Sequence, residues 1–299
     1  MNYLYHLIIY LCVYIIVAVS LNIVTGYCGL LTLAHAGYFA VGCYVYALSS
    51  LLLGWGLVLS MLLAFGVAAI FSLAVSIPSW RFKGDFFVMS SLAVQALLYS
   101  LFYNWSNSTA ALGTWSNLTN GPSGIAGIPK LVIFGIKFDT LGGVAVISVI
   151  LAVVWIYVSA LLLSSPWGRL LKAMRDDELA ARGLGKNVQV AKTQAFAIAC
   201  GIAAIAGVIY AAYVSYVDPS IASLDESILM LCMVIVGGMG NIQGPVVGAL
   251  VLIAIPELLR FADIPNDIAP NIRLMVYGLL LLAMMHFRPQ GLAGSYRIE

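Results

Sequence analysis

Continuous apolar runs, punctuated by short polar or Gly/Pro stretches, fall at about 3–24, 36–53, 55–77, 86–103, 141–163, 194–217, 227–259 and 273–287. A helix that crosses the hydrocarbon core of a bilayer needs about 20 mostly apolar residues. The pattern therefore predicts an all-α, polytopic helical membrane protein with about eight transmembrane segments, forming one domain over residues 1–299. A membrane barrel would show alternating segments of about ten residues instead. The run 227–259 is too long for one simple span, and its GGMGNIQGP stretch, from Gly237 to Pro245, is a cluster of helix breakers. The expectation is a break into two half-length pieces, with the freed backbone groups met by protein or water because lipid offers no partner.

Composition narrows the class. Of 299 residues, 63% are hydrophobic and 9% charged, with a mean hydropathy of +1.03; a soluble domain carries about 45–50% apolar and about 25% charged residues. A water-soluble globule is ruled out. Fourteen Lys and Arg against twelve Asp and Glu leave a net charge of +2, too small an excess for phosphate contacts, so nucleic acid is excluded as a partner. Cys12, Cys28, Cys43, Cys200 and Cys232 lie in apolar runs and read as small buried hydrophobes, not as a disulfide framework. The N-terminal run lacks a basic flank and a small-residue cleavage site, so it is expected to be a retained span.

Orientation follows from basic residues in short loops. Arg169, Lys172, Arg175, Arg182, Lys186 and Lys192 crowd between Ser164 and Thr193, Arg81 and Lys83 sit in the turn SWRFKG, and Arg288 and Arg297 lie in the tail. These places are expected in the cytoplasm. The 104–139 loop, with Lys130 and Lys137, and the acidic 218–226 turn, with Asp218, Asp225 and Glu226, go outside. The side of the N-terminus stays open, because 25–37 reads either as a loop or as part of a span.

Four segments carry candidate chemistry. The cytoplasmic 164–193 segment predicts a short helix over 169–182 ended near Gly183 and Gly185. It lies either on lipid headgroups or against a protein, and the acids Asp176, Asp177 and Glu178 favour a protein. Asn22, Thr32 and His35 stand among apolar residues and small glycines; such groups either tie helices together or face a watery path. Asp85 is expected to pair with Arg81 or Lys83, while mid-span Gln95 either lines a path or bridges helices. The 104–139 loop, with Trp105 and Trp115 and sequons at Asn104, Asn107 and Asn117, is long for a connector. A docking surface or a lid is expected there. The chain has no phosphate-binding loop, no nucleophile constellation and no ladder of buried carboxylates, so it is expected to be non-catalytic and unable to hydrolyse ATP itself.

LNIVTGYCGLLTLAHAGYFAVGCYVYAL, LTNGPSGIAGIP, SPWGRLLKAMRDDELAARGLGKNV, MVIVGGMGNIQGPVVGALVLIAIPELLR and RPQGLAG, in that order, resemble the M-type permease subunit of high-affinity branched-chain amino acid ABC importers. The resemblance implies a prokaryotic inner-membrane permease working by alternating access. Its implied partners are a similar second permease subunit, two cytoplasmic ATPase subunits that hold ATP and Mg, and an extracytoplasmic substrate-binding protein. It implies that 169–187 is the coupling segment, with Arg169, Arg175, Asp176, Asp177, Glu178, Ala181, Arg182 and Gly185 as coupling residues. It casts Asn22, His35, Tyr38 and Gln95 as pathway candidates, and Gly237, Gly238, Gly240, Gly244 and Pro245 as a hinge or half-helix end. Related permeases for urea or short amides share these blocks, and a stand-alone channel or secondary carrier is the rival of another class.

Overall fold

The computed structural model describes residues 2–82, 84–107, 109–133, 136–138, 140–260, 269–288 and 290–293. Lys83 and Arg297, both counted above in the orientation of the chain, lie outside the described residues. The elements in order are α1 (Asn2–Asn22), continued by a π turn (Ile23–Tyr27), α2 (His35–Leu52), α3 (Leu57–Phe71), α4 (Leu73–Ser76), α5 (Asp85–Asn104), β1 (Ile125–Ala126), β2 (Val132–Ile133), β3 (Ile136–Lys137), α6 (Leu141–Ser164), α7 (Pro166–Asp176), α8 (Glu178–Gly183), α9 (Val188–Val214), β4 (Tyr216–Val217), α10 (Leu224–Gly237), α11 (Gln243–Arg260) and α12 (Ala269–Phe287). Among the described residues, Tyr3–Tyr27, Leu57–Ser76, Asp85–Asn104, Leu141–Ser164 and Val188–Val214 are long and apolar enough to cross a membrane. The chain is a polytopic helical membrane protein.

α1 and α9 run through the middle of the bundle, while α3, α5 and α6 turn most of their surface outward. Small residues permit this, because lipid gives helices no hydrophobic reason to associate and close backbone packing must do so. A methyl group on Gly42 of α2 would lie 1.9 Å from the Ala204 carbonyl of α9, and one on Gly207 of α9 would lie 2.1 Å from the Phe39 carbonyl. The five cysteines are buried and free.

The two ends of the bundle differ. One gathers the π turn, the Pro78–Trp80 turn, α7, α8 and the 238–243 and 288–293 segments, and with them Arg81, Arg169, Lys172, Arg175, Arg182, Lys186 and Arg288. The other carries the 104–139 loop, which is tied to the end of α9 by the antiparallel pair of β1 and β4. The N-terminus belongs to this loop end: His6 bonds the Tyr213 hydroxyl near the end of α9, and Tyr5 lies beside Gly142 at the start of α6. The side left open by the sequence is thereby fixed relative to the basic end.

Three readings are settled by the structure. The 25–37 stretch, open in the sequence, is resolved: helix α2 begins inside the bundle, since the Gly37 N–H donates to Gln95 Oε1 at 3.0 Å, about 15 Å along α5 from Asp85 at 1.5 Å per residue. The 218–226 segment is not simply an outer turn. After Asp218 it dips inward through a 3-10 turn (Pro219–Ala222) and starts α10 inside the bundle, with Glu226 accepting from Tyr14 Oη at 3.0 Å. Finally, the Gly237–Pro245 break divides the 227–259 run into two helices, as expected, and the structure adds how they sit. α10 and α11 fold back on each other as a hairpin whose turn lies at the basic end. A methyl group on Gly248 would lie 1.8 Å from the Met233 carbonyl, and one on Gly237 would lie 1.9 Å from the Gly244 carbonyl. Only backbones without side chains approach that closely.

Candidate functional site

The basic end presents a knob built from α7 and α8. Pro166 opens α7 in the first turn, where its missing N–H costs nothing, and Gly168, Leu171 and Met174 turn inward. The helix expected over 169–182 is in fact two. Asp177 adopts an extended conformation, ends α7, and caps α8 by accepting from the Leu179 N–H at 2.8 Å and the Ala180 N–H at 3.0 Å. Asp176 and Asp177 are exposed. Gly185, at φ 75°, takes the chain out of α8 in a left-handed conformation that suits glycine.

The coupling residues named from the sequence divide into two groups. Arg169, Asp176, Asp177, Arg182 and Gly185 face outward. Arg175, Glu178 and Ala181 face inward as anchors. Arg175 Nη1 donates to the Gly26 carbonyl at 2.7 Å and its Nε pairs with Asp176 at 3.1 Å, while the Lys172 ammonium stands 5.1 Å from the centre of the Tyr27 ring. These contacts fasten α7 to the end of α1. Glu178 Oε1 accepts from Arg182 at 2.6 Å and from Lys192 of α9 at 3.2 Å. Lys192 Nζ also donates to the Ser79 carbonyl at 3.1 Å, so one carboxylate links α8, α9 and the turn before α5.

Sequence reasoning missed two features here. Lys192 lies in α9, not in a loop, and is buried, because Glu178 supplies the counter-charge that lets a lysine enter a helix packed in the bundle. The outer face of the knob shows Leu179 at 72% and Leu184 at 81% exposure, rimmed by Asp176, Asp177, Arg182 and Lys186. The signal was present in the sequence, since a leucine set between Gly183 and Gly185 has no helical face to occupy.

The intramembrane polar residues are engaged with neighbours. Asn22 Oδ1 accepts from the Gly240 N–H at 3.2 Å and its Nδ2 donates to the Asn241 carbonyl at 2.9 Å, clamping the hairpin turn. His35 Nε2 meets Ser20 Oγ at 2.8 Å. Tyr38 Oη donates to the Phe71 carbonyl at 3.3 Å. Gln95, besides receiving Gly37, donates through Nε2 to the Ala222 and Ser223 carbonyls at 2.6 and 3.2 Å. With Ser91 and Ser227, which accept from the Leu33 and Ala36 N–H groups at 3.0 and 3.2 Å, it satisfies the start of α2. Gln95 also lines a cleft of about 310 Å³ with Leu92, Tyr99 and Leu224.

Gly238, at φ 111°, and Gly240, at φ 79°, make the hairpin turn. Leu292 and Ala293 donate to the Val236 and Gly237 carbonyls at 3.0 and 2.8 Å, so these two residues pack against it, and Gly244 and Pro245 are buried in the first turn of α11. Among the described residues Asp85 makes no ion pair with Arg81, and it stands in the first turn of α5, where the helix dipole favours an acid.

This is a many-helix membrane bundle with an interior tied by side chains and a rigid knob projecting from its basic end. Residues 3–285 match the family described as the branched-chain amino acid transport system permease component. The chain is 31% identical to the high-affinity branched-chain amino acid transport system permease protein LivM of Escherichia coli, over 94% of this chain and 67% of that one. It is 29% identical to the probable LivM of Methanocaldococcus jannaschii over 79% of this chain and 66% of that one, and 26% identical to LivH of Salmonella typhimurium over 96% and 92%. The chain spans about two thirds of the length of the LivM relatives it matches. No solved structure matches it. The chain belongs to the branched-chain amino acid transport permease family.

Proposed function

We propose that the chain is the membrane-spanning M-type subunit of an ATP-driven importer of branched-chain or other neutral amino acids in a prokaryotic inner membrane. Its basic end faces the cytoplasm, as the crowding of Arg and Lys there favours. The observation that carries the reading is the knob. Leu179 on α8 and Leu184 just after it stand exposed among charges, while Arg175 of α7 and Glu178 of α8 tie the knob to the end of α1, to α9 and to the turn before α5. An apolar tip with a charged rim fits a groove in a partner, and three internal attachments let movement of that partner shift the helices as bodies. The partner is an ATPase subunit, one of a pair that holds ATP and Mg. The similarity to both LivM and LivH chains supports a related second permease beside this one. The 104–139 loop, with Trp115 exposed, is the contact for a substrate-binding protein outside, and transport proceeds by alternating access.

The test is reconstitution in proteoliposomes. Uptake of radiolabelled leucine is expected only when both permeases, the ATPases, ATP and the loaded binding protein are present, and Leu184→Asp is expected to release the ATPases while leaving the permeases in the membrane. Flux through this chain alone would sink the importer in favour of a channel or carrier, and uptake of urea but not leucine would reassign the substrate.

A further inference from the structure

A cavity of about 420 Å³ lies between α1, α10, α11 and α12, within the range of small-molecule sites. Its α1 wall is one helical face, Tyr3, His6, Tyr10 and Tyr14, and from Tyr3 to Tyr14 the wall runs about 16 Å from the loop end into the bundle. At the inner limit Tyr14 Oη donates to Glu226 Oε2 at 3.0 Å. Tyr10 stacks on Tyr14 with ring centres 6.4 Å apart and stands edge-on to Tyr210 and Tyr213 at 5.9 and 5.8 Å. Glu257 adds a second carboxylate, and Leu229, Met233, Leu252 and Ile253 supply an aliphatic wall.

Among the residues whose side chains are described, no Lys or Arg lines the cavity and no ion pair involves Glu226 or Glu257; the side chains of Arg260 and Arg273 lie outside that set. A carboxylate inside an apolar bundle calls for a counter-charge, and Tyr14 bonds one of its oxygens only. Tyrosine ring faces attract ammonium groups. We propose that this cavity binds a primary alkylammonium group, seated between Glu226, Tyr14 and Tyr10 with its aliphatic part against Met233 and Ile253. Two molecules carry that chemistry to this place, a free aliphatic amino acid and the head of an ethanolamine lipid.

The experiment is calorimetric titration of isoamylamine, with isocaproate as its anionic counterpart, into the full chain in phosphatidylglycerol nanodiscs. Wild type should bind the amine saturably and ignore the acid. Loss of one charge-assisted hydrogen bond should weaken binding about tenfold or more in Glu226→Gln, and less in Tyr14→Phe, which retains the ring. Equal thermal unfolding midpoints show that a variant is folded; if Glu226→Gln is not, Glu257→Gln and Tyr14→Phe decide. Displacement of the amine by leucine identifies the amino acid as the source, and loss of amine binding when phosphatidylethanolamine replaces phosphatidylglycerol identifies the lipid. The proposal falls if wild type shows no saturable amine binding, if the acid binds equally, if the folded variants all bind as wild type does, or if neither leucine nor ethanolamine lipid competes. None of these outcomes touches the ATP-driven uptake that tests the importer itself.

Discussion

Removal of the Glu178 carboxylate should cost more than any other single side-chain truncation in the knob. Lys192 is 3% exposed, and its ammonium has Glu178 Oε1 at 3.2 Å and the Ser79 carbonyl at 3.1 Å. In Glu178→Ala that charge keeps one neutral acceptor and no counter-ion. Truncating one partner of a buried pair costs about 3–5 kcal/mol. The Glu178 side chain retains 11% exposure, so the low end, about 3 kcal/mol, applies here. Arg182 shares the same oxygen at 2.6 Å but is 43% exposed, and its part of the loss is about 0.5 kcal/mol. Lys192→Met keeps the apolar stem and leaves Glu178 paired with Arg182, for a loss of about 1 kcal/mol, and the double variant Glu178→Ala, Lys192→Met should lose about 2 kcal/mol, because the orphaned charge is gone. The cycle then yields a coupling of about 2 kcal/mol. SDS titration in mixed micelles, followed by near-UV circular dichroism, measures each unfolding free energy. A coupling below about 0.5 kcal/mol, or a Glu178→Ala variant as stable as wild type, would refute the claim that this carboxylate joins α8 to α9.

Other changes separate packing from docking. Gly42→Ala should prevent recovery of monodisperse protein, because its methyl group meets the Ala204 backbone and nothing there can rotate away; Gly66→Ala, with open space around it, should raise stability by about 0.5–1 kcal/mol in the same SDS titration. Asn22→Leu strands the Gly240 N–H and the Asn241 carbonyl, for a loss of about 2–4 kcal/mol, and Asn22→Asp, which keeps the acceptor, should lose about half of that; equal stability of both variants would show that the clamp is idle. His35→Ala breaks the Ser20 contact, and leucine uptake at wild-type rates with intact assembly would assign His35 to packing alone. Leu184→Asp should leave the unfolding midpoint unchanged while co-purification of the ATPase subunits is lost, and retention of those subunits would remove α8 from the interface.

The helical, membrane-spanning nature of the chain was legible in the sequence because it rests on run length alone, and the crowding of basic residues in 164–193 marked the end that projects the knob. Local chemistry was legible in part: Gly185 takes the chain out of the helix where the sequence puts it, whereas Asp177, expected inside one helix, ends α7 and caps α8. What the sequence could not give was depth and partners. Gln95 reads the same whether it lines a path or bridges helices, and only the arrival of Gly37 and Ala222 beside it shows that it caps a helix begun inside the bundle. Lys192 reads as one more loop cation until Glu178, fourteen residues earlier, neutralises it within α9. Hydropathy reports how much apolar surface a segment has, and so decides which segments leave water. Which backbone approaches which, where a re-entrant segment stops, and which buried charge finds its counter-charge are settled by contacts between residues far apart in the chain, and no window along the sequence contains them.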